Sequence, residues 1–166
     1  RRSATRGLEP RGEMETTMDA IVTNPYRNGD PHSRVEIRAM LRESGLRPTR
    51  QRMALAGILY AKGNRHISAE GLHEEAMSAK VPVSLATVYN TLHQFTEAGL
   101  LREVAVDGSK TYFDTNTSDH HHFFVEDDNQ VIDIPEGRMG VGNIPEPPEG
   151  YEISRIDVVV RLRRVR

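Results

Sequence analysis

Four consecutive residues, Asp119-His120-His121-His122, carry the densest ligating chemistry in the chain. Side chains alternate faces on an extended backbone. His120 and His122 then share a face, and His121 points the other way. Two imidazoles on one face can share a divalent ion, with a carboxylate and a distant histidine completing its shell. Asp114, just upstream, and His66, before the third helical segment, are the candidates. Imidazole with carboxylate suits Zn, Fe, Mn or Co. Haem iron also accepts an axial imidazole, so His120, His121 and His122 are equally candidate haem ligands. The competing account is a solvated strand end or a fragment of purification tag, and the internal position between two strand-like runs argues against a tag.

A second set suits nucleic acid. Arg47, Arg50 and Arg52 lie before and within a helical segment, Thr87, Tyr89 and Asn90 lie on a later one, and Lys110 follows a hairpin turn. Arginines near a helix N-terminus can reach phosphates or a narrow minor groove. A tyrosine ring can pack on a thymine methyl, and asparagine can pair with adenine. The alternative is that these arginines merely solvate a helix face. His73 and His93 read as surface histidines on polar helix faces, and His32 lies in a loop.

The elements that must position these residues follow from periodicity and turn chemistry. From Ser33, the residues Val35, Ile37, Met40 and Leu41 recur near helical spacing until Ser44-Gly45. Pro48 is expected to open a second helix, where its missing N–H costs little. Met53, Leu55, Ile58 and Leu59 form the apolar side of that helix, and Gly63-Asn64 stops it. Ser68 is an N-cap for a third helix lined by Leu72, Ala76 and Ala79. Ser84 caps a fourth, in which Val88, Leu92 and Phe95 fall at i, i+4 and i+7. Strand-like runs 100–106 and 110–114 flank Asp107-Gly108, a hairpin signal. Short helices followed by a hairpin are the layout of a winged helix-turn-helix. Further strands are expected at 121–125, 130–134 and 153–162, around a Gly/Pro-rich stretch, 135–150. Three strands in about 50 residues make a thin core, so this unit is expected to pair with a second copy.

The expected class is therefore α+β: a winged helix-turn-helix followed by a small α/β dimerisation domain. Residues 1–32 are expected to be a leader, disordered or in part a vector remnant, with Met14 or Met18 as candidate starts. The first unit is expected to bind DNA and the second, after Asp114, to dimerise. Among the chain's 166 residues there is no cysteine, which excludes disulfides, thiolate zinc sites and Cys nucleophiles and fits a cytoplasmic protein. The longest apolar run, Met53 to Ala61, is far below the roughly 18 residues that span a bilayer, and no apolar signal segment follows Arg1-Arg2. Charge is uneven: residues 34–113 hold 11 Lys and Arg against 8 Asp and Glu, and residues 114–150 hold 1 against 9. That asymmetry suits two units with different partners.

Gly45-Leu-Arg-Pro-Thr-Arg-Gln-Arg52, His66-Ile-Ser-Ala-Glu70, Leu85-Ala-Thr-Val-Tyr-Asn-Thr-Leu92 and the histidine cluster occur in that order. In this the chain resembles the ferric uptake regulator superfamily over about residues 33–162. The run His-His-His-Phe-Phe-Val-Glu at 120–126 is most like the iron response regulator branch of α-proteobacteria. The resemblance implies a DNA-binding domain at residues 33–113, a hinge at 114–117 and a dimerisation and haem/metal-sensing domain at 118–166, in a homodimer on an inverted repeat of promoter double-stranded DNA. It implies a regulatory metal site (Fe, Mn or Zn) at His66, Asp114, His120 and His122, and a second, weaker site at Asp119, His121 and Asp133. The family's structural-zinc cysteines fall at Val125 and Asp128, so no Cys-ligated zinc is expected. The family's Tyr-Arg pair on the recognition helix is Tyr89-Asn90 here.

The resulting expectation is a non-enzymatic, cytoplasmic regulator of iron and haem homeostasis with no membrane partner. It binds promoters under iron limitation and loses DNA affinity on binding haem. The alternatives are a metal-sensing repressor indifferent to haem, and a metal-dependent enzyme such as a hydrolase. The last needs an open metal position and a base, and the sequence offers no extra positioned acid or nucleophile.

Overall fold

The computed structural model describes residues 33–106 and 110–166. The expected leader at 1–32 and the hairpin turn at Asp107-Gly108 lie outside the described residues. The chain runs α1 (Arg34–Glu43), α2 (Arg50–Tyr60), β1 (His66–Ile67), α3 (Ala69–Ser78), α4 (Leu85–Glu97), β2 (Arg102–Ala105), β3 (Thr111–Asp114), β4 (His122–Val125), β5 (Gln130–Asp133) and β6 (Val159–Leu162). The mixture of helix and sheet agrees with the α+β expectation.

Each helix begins at a hydroxyl N-cap. Ser33, Thr49, Ser68 and Ser84 each accept a bond from the backbone N–H three residues on, satisfying a donor that the first turn leaves orphaned. Ser33 and Glu36 close a reciprocal capping box. Thr49, not Pro48, caps α2. Pro48 therefore precedes the cap instead of forming the first helical residue. Helices α1 and α4 end at Gly45 and Gly99, both at positive φ. There the next residue's N–H bonds back to the carbonyl of Leu41 and of Phe95, respectively.

Four helices and the first sheet enclose one core. Ile37, Met40, Leu41, Met53, Leu55, Leu59, Leu72, Ala76, Val88, Leu92, Phe95 and Phe113 are all buried there. Val35 and Ala79, expected on apolar faces, are instead exposed. Val35 sits in the first turn of α1, off the Ile37-Met40-Leu41 stripe, and Ala79 is the C-cap of α3.

Two three-stranded sheets follow. The first has the order β1-β3-β2, all antiparallel. The second has the order β5-β4-β6, with β6 parallel to β4. A parallel return needs a long crossover, which residues 135–158 supply without regular structure. A smaller core of Val104, Val106, Phe124 and Val131, with Tyr112 and Val159 packed on it, joins the β2–β3 hairpin to the second sheet. The segment 114–117, expected as a hinge, runs through this seam. Asp114, Thr115 and Asn116 are buried, and Arg65 and Thr115 exchange hydrogen bonds.

Candidate metal centre

The short strand β1, too brief to be read from periodicity, places His66 directly opposite Asp114 on β3. The antiparallel pair β4–β5 places His122 opposite Asp133. The chain between the sheets brings His120 alongside. Five donors thus converge from both sheets: His66, Asp114, His120, His122 and Asp133, whose ligating atoms lie within 4.8 Å of one another.

The three Nε2 atoms all face the same two carboxylate oxygens. Asp114 Oδ2 lies 3.1, 2.9 and 3.1 Å from the Nε2 of His66, His120 and His122. Asp133 Oδ1 lies 2.8, 3.0 and 3.4 Å from the same atoms. Asp114 is fully buried and also accepts the Asn116 N–H.

This arrangement calls for a cation. At 2.7 Å from the Ser118 carbonyl, His120 Nδ1 must carry its proton, since two bare acceptors would repel. The neutral ring then turns an Nε2 lone pair toward two carboxylates. Only a proton or a metal ion at that position makes the contact attractive. His66 Nε2 is buried and, among the described residues, has no partner in hydrogen-bond geometry despite its short distances to both oxygens, as fits a ligand atom aimed at a shared centre. Three imidazoles and two carboxylates are the donor set of Zn, Fe, Mn or Co.

The protonation equilibria report the same electrostatics. Burial opposes charging of His66 and His120, but the two carboxylates beside them, Asp114 and Asp133, outweigh it and raise both imidazoles to about 9. Burial would raise the two carboxyls, yet the three histidines hold both well below the usual carboxylate range. A metal ion would compete with these protons.

Asp133, expected in a second site with Asp119 and His121, lies instead with its carboxylate against His66, His120 and His122. Asp119 and His121 instead line a cavity of about 110 Å³ together with Ile134, Pro135 and Ile156. The sequence spacing could not show this, because the β4–β5 register decides it. His121 faces away from the five donors, as alternation requires, and its Nδ1 accepts the Val158 N–H.

The residues expected to face DNA divide into two groups. Arg47, Arg50, Tyr89, Asn90 and Lys110 are exposed. The Tyr89 hydroxyl donates to Glu70 at 2.5 Å, and its ring stacks on His93. Thr87 is half-buried and shares a hydrogen bond with the Ser84 hydroxyl. Arg52 is turned inward. Its Nε and Nη2 both donate to Gln94 Oε1, and its Nη1 donates to the Arg47 carbonyl, so it clamps α2 to α4. Its partner lies 42 residues away, beyond the reach of a local reading.

The sequence profile of the ferric uptake regulator family matches residues 43–155. The chain belongs to the ferric uptake regulator family. Over 104 residues it is 35% identical to the peroxide-responsive repressor PerR of Staphylococcus epidermidis, covering 62% of this chain and 68% of that protein. Over 97 residues it is 33% identical to the ferric uptake regulation protein of Shigella flexneri, covering 58% of this chain and 66% of that one, just under two thirds. The structure resembles the ferric uptake regulator of Pseudomonas aeruginosa with manganese, at a TM-score of 0.59 and 27% identity, over 78% of this chain and 98% of that one. Members of the family are transcription regulators rather than enzymes. Among the described residues no helix is long and apolar enough to cross a membrane.

Proposed function

We propose that the chain is a homodimeric, metal-responsive regulator that binds promoter DNA, with one divalent ion held by His66, Asp114, His120, His122 and Asp133. The observation carrying this reading is the convergence of these five donors from two different sheets. Residues 33–113 are the DNA-binding winged helix, with α4 as the recognition helix and Arg47, Arg50, Tyr89, Asn90 and Lys110 on the DNA face. Residues 118–166 are the dimerisation unit. Alternation on its sheet sends His122, Phe124, Val131 and Val159 toward the seam. Phe123, Val125, Ile132, Val160 and Leu162 go to the opposite face, where they stay half-buried or exposed. A second copy would cover that face.

When bound, the ion supplies a positive centre that two carboxylates and three imidazoles can share. The chain's own contribution is placement. His66 and Asp114 come with the first sheet, while His122 and Asp133 come with the second. An ion that prefers one relative placement of the sheets biases the molecule toward it only through its differential affinity for the two arrangements. The test selects DNA from a random duplex pool and measures gel shifts of the winner with manganese and with chelator, at two salt concentrations. Salt-sensitive binding that changes with the metal is expected. Equal binding in both conditions would defeat the reading.

A finer reading follows from the run 120–126. The chain is then a haem-responsive regulator of the iron response regulator type, active when iron is scarce and released by haem. In its favour, His121 stands outside the five-donor cluster and is left for another ligand. Against it, the Val158 N–H occupies Nδ1, so the neutral ring keeps its proton on Nε2. Axial ligation through Nε2 must then surrender that hydrogen bond or form an imidazolate. The neighbouring cavity of about 110 Å³ is also small beside the roughly 300–1,000 Å³ of cofactor pockets. The metal reading therefore stands first.

A further inference from the structure

β2 carries a buried cation into the seam between the two sheets. Arg102 is 3% exposed, although an arginine is almost never fully buried unless paired. Its guanidinium touches two later segments. Nη1 donates to the Ser118 carbonyl at 2.8 Å, and Nη2 donates to the Asp157 carboxylate. Its Nε is buried and has no hydrogen-bond partner among the described residues. The Ser118 carbonyl is also the acceptor for His120 Nδ1. At 3.5 Å from Nη1, that same Nδ1 is too far for a good hydrogen bond, and its proton is already committed to Ser118. One carbonyl oxygen therefore receives both the guanidinium and the imidazole.

The consequence lies at the other end of the ring. An Nδ1–H held by a carbonyl leaves Nε2 to ligate, and the partner of the non-ligating nitrogen fixes ring orientation and basicity. The direction of the Ser118 carbonyl thus aims His120 at Asp114 and Asp133, and Arg102 holds that carbonyl. Its other hand, on Asp157, ties the same geometry to the crossover that delivers β6.

We propose that Arg102 is a positioning residue for the metal centre, fixing His120 through the Ser118 carbonyl and linking that orientation to the docking of the 135–158 crossover. This rests on the reading that the five donors hold a divalent ion.

The test uses the full chain and manganese as the probe. Arg102→Gln should bind manganese about 10–100-fold more weakly by calorimetry. It should also lose the slowly exchanging, downfield Nδ1–H resonance of His120 in the metal-free protein. Arg102→Lys, which still offers an N–H to Ser118, should recover most of the affinity and keep the resonance. It also serves if the glutamine variant fails to fold. Arg65→Gln removes a half-buried arginine paired with Glu75, and should leave manganese affinity unchanged. Parent-like affinity and an unchanged resonance in Arg102→Gln would overturn the positioning role while leaving the metal site intact. A loss in Arg102→Lys equal to that in a folded Arg102→Gln would overturn it too. A parent that binds no manganese would instead remove the metal reading, and this proposal with it.

Discussion

The Asp133 carboxylate, on β5, stands 2.8 Å from Nε2 of His66, on β1, so donors from the two sheets meet face to face across the seam. Asp133 is part of the same donor set as Asp114, and its removal should be felt as the loss of a ligand. Asp133→Asn is expected to weaken manganese binding at least tenfold, whereas Asp119→Asn, on the exposed side of the cluster, leaves it unchanged. Calorimetry on the two variants checks this, and equal effects would return Asp133 to a separate site.

The DNA face yields contrasting expectations for neighbouring residues. Tyr89→Ala should weaken binding to the selected duplex by about 1–3 kcal/mol and relax its sequence preference. Arg47→Ala should weaken all duplexes and reduce the salt slope by about 1. Arg52→Ala should act on the fold instead. Losing the clamp to Gln94 should cost about 1–3 kcal/mol of unfolding free energy, read in denaturant melts. A stable Arg52→Ala protein with a selective DNA defect would reverse that assignment.

Much of this architecture was legible in the sequence because it is local. Ser33, Ser68 and Ser84 announce helix starts, Ser44-Gly45 and Gly63-Asn64 announce ends, and Val88-Leu92-Phe95 marks the buried stripe of α4. His120 and His122 share a face because of backbone alternation alone. What escaped depends on distant pairing. Asp133 joins the cluster through the β4–β5 register, Arg52 turns inward because Gln94 lies across from it, and β1 is only two residues long. The parallel placement of β6 depends on a crossover with no periodic signal, so residues 153–158, which read as strand, are irregular.

The cluster also sets a pH response. In the metal-free protein, His66 and His120 titrate near 9 when folded and near 6.5 when unfolded. Their contribution to stability is complete below about pH 6.5 and is lost as pH rises through 9. Asp114 and Asp133, held low in the fold, contribute above the unfolded carboxylate range near pH 4, and that contribution fades as pH falls further. Metal-free stability should therefore be greatest between about pH 4 and 6.5. Manganese affinity should rise with pH over the range where stability falls, because the ion displaces protons. Melts from pH 4 to 10, with and without manganese, test both trends, and a metal-free optimum above pH 8 would contradict them.

Haem separates the two functional readings. If the protein answers only to metal, haem added to the manganese-loaded protein should give no His-ligated absorbance spectrum and no change in gel shift. If haem does release DNA, replacing His120, His121 and His122 together by alanine must abolish the response. Release that persists in this triple variant would place the haem sensor elsewhere in the chain.

The most direct test is a manganese titration of metal-free parent and His66→Ala, read by calorimetry and by thermal unfolding. The parent should bind one ion per chain, and an excess of 100 times Kd should stabilise it by about 2.7 kcal/mol. His66→Ala, with the first sheet's histidine removed, should bind at least tenfold more weakly and gain correspondingly less stability. One ion per chain bound with equal affinity by parent and variant would contradict a centre shared between the two sheets.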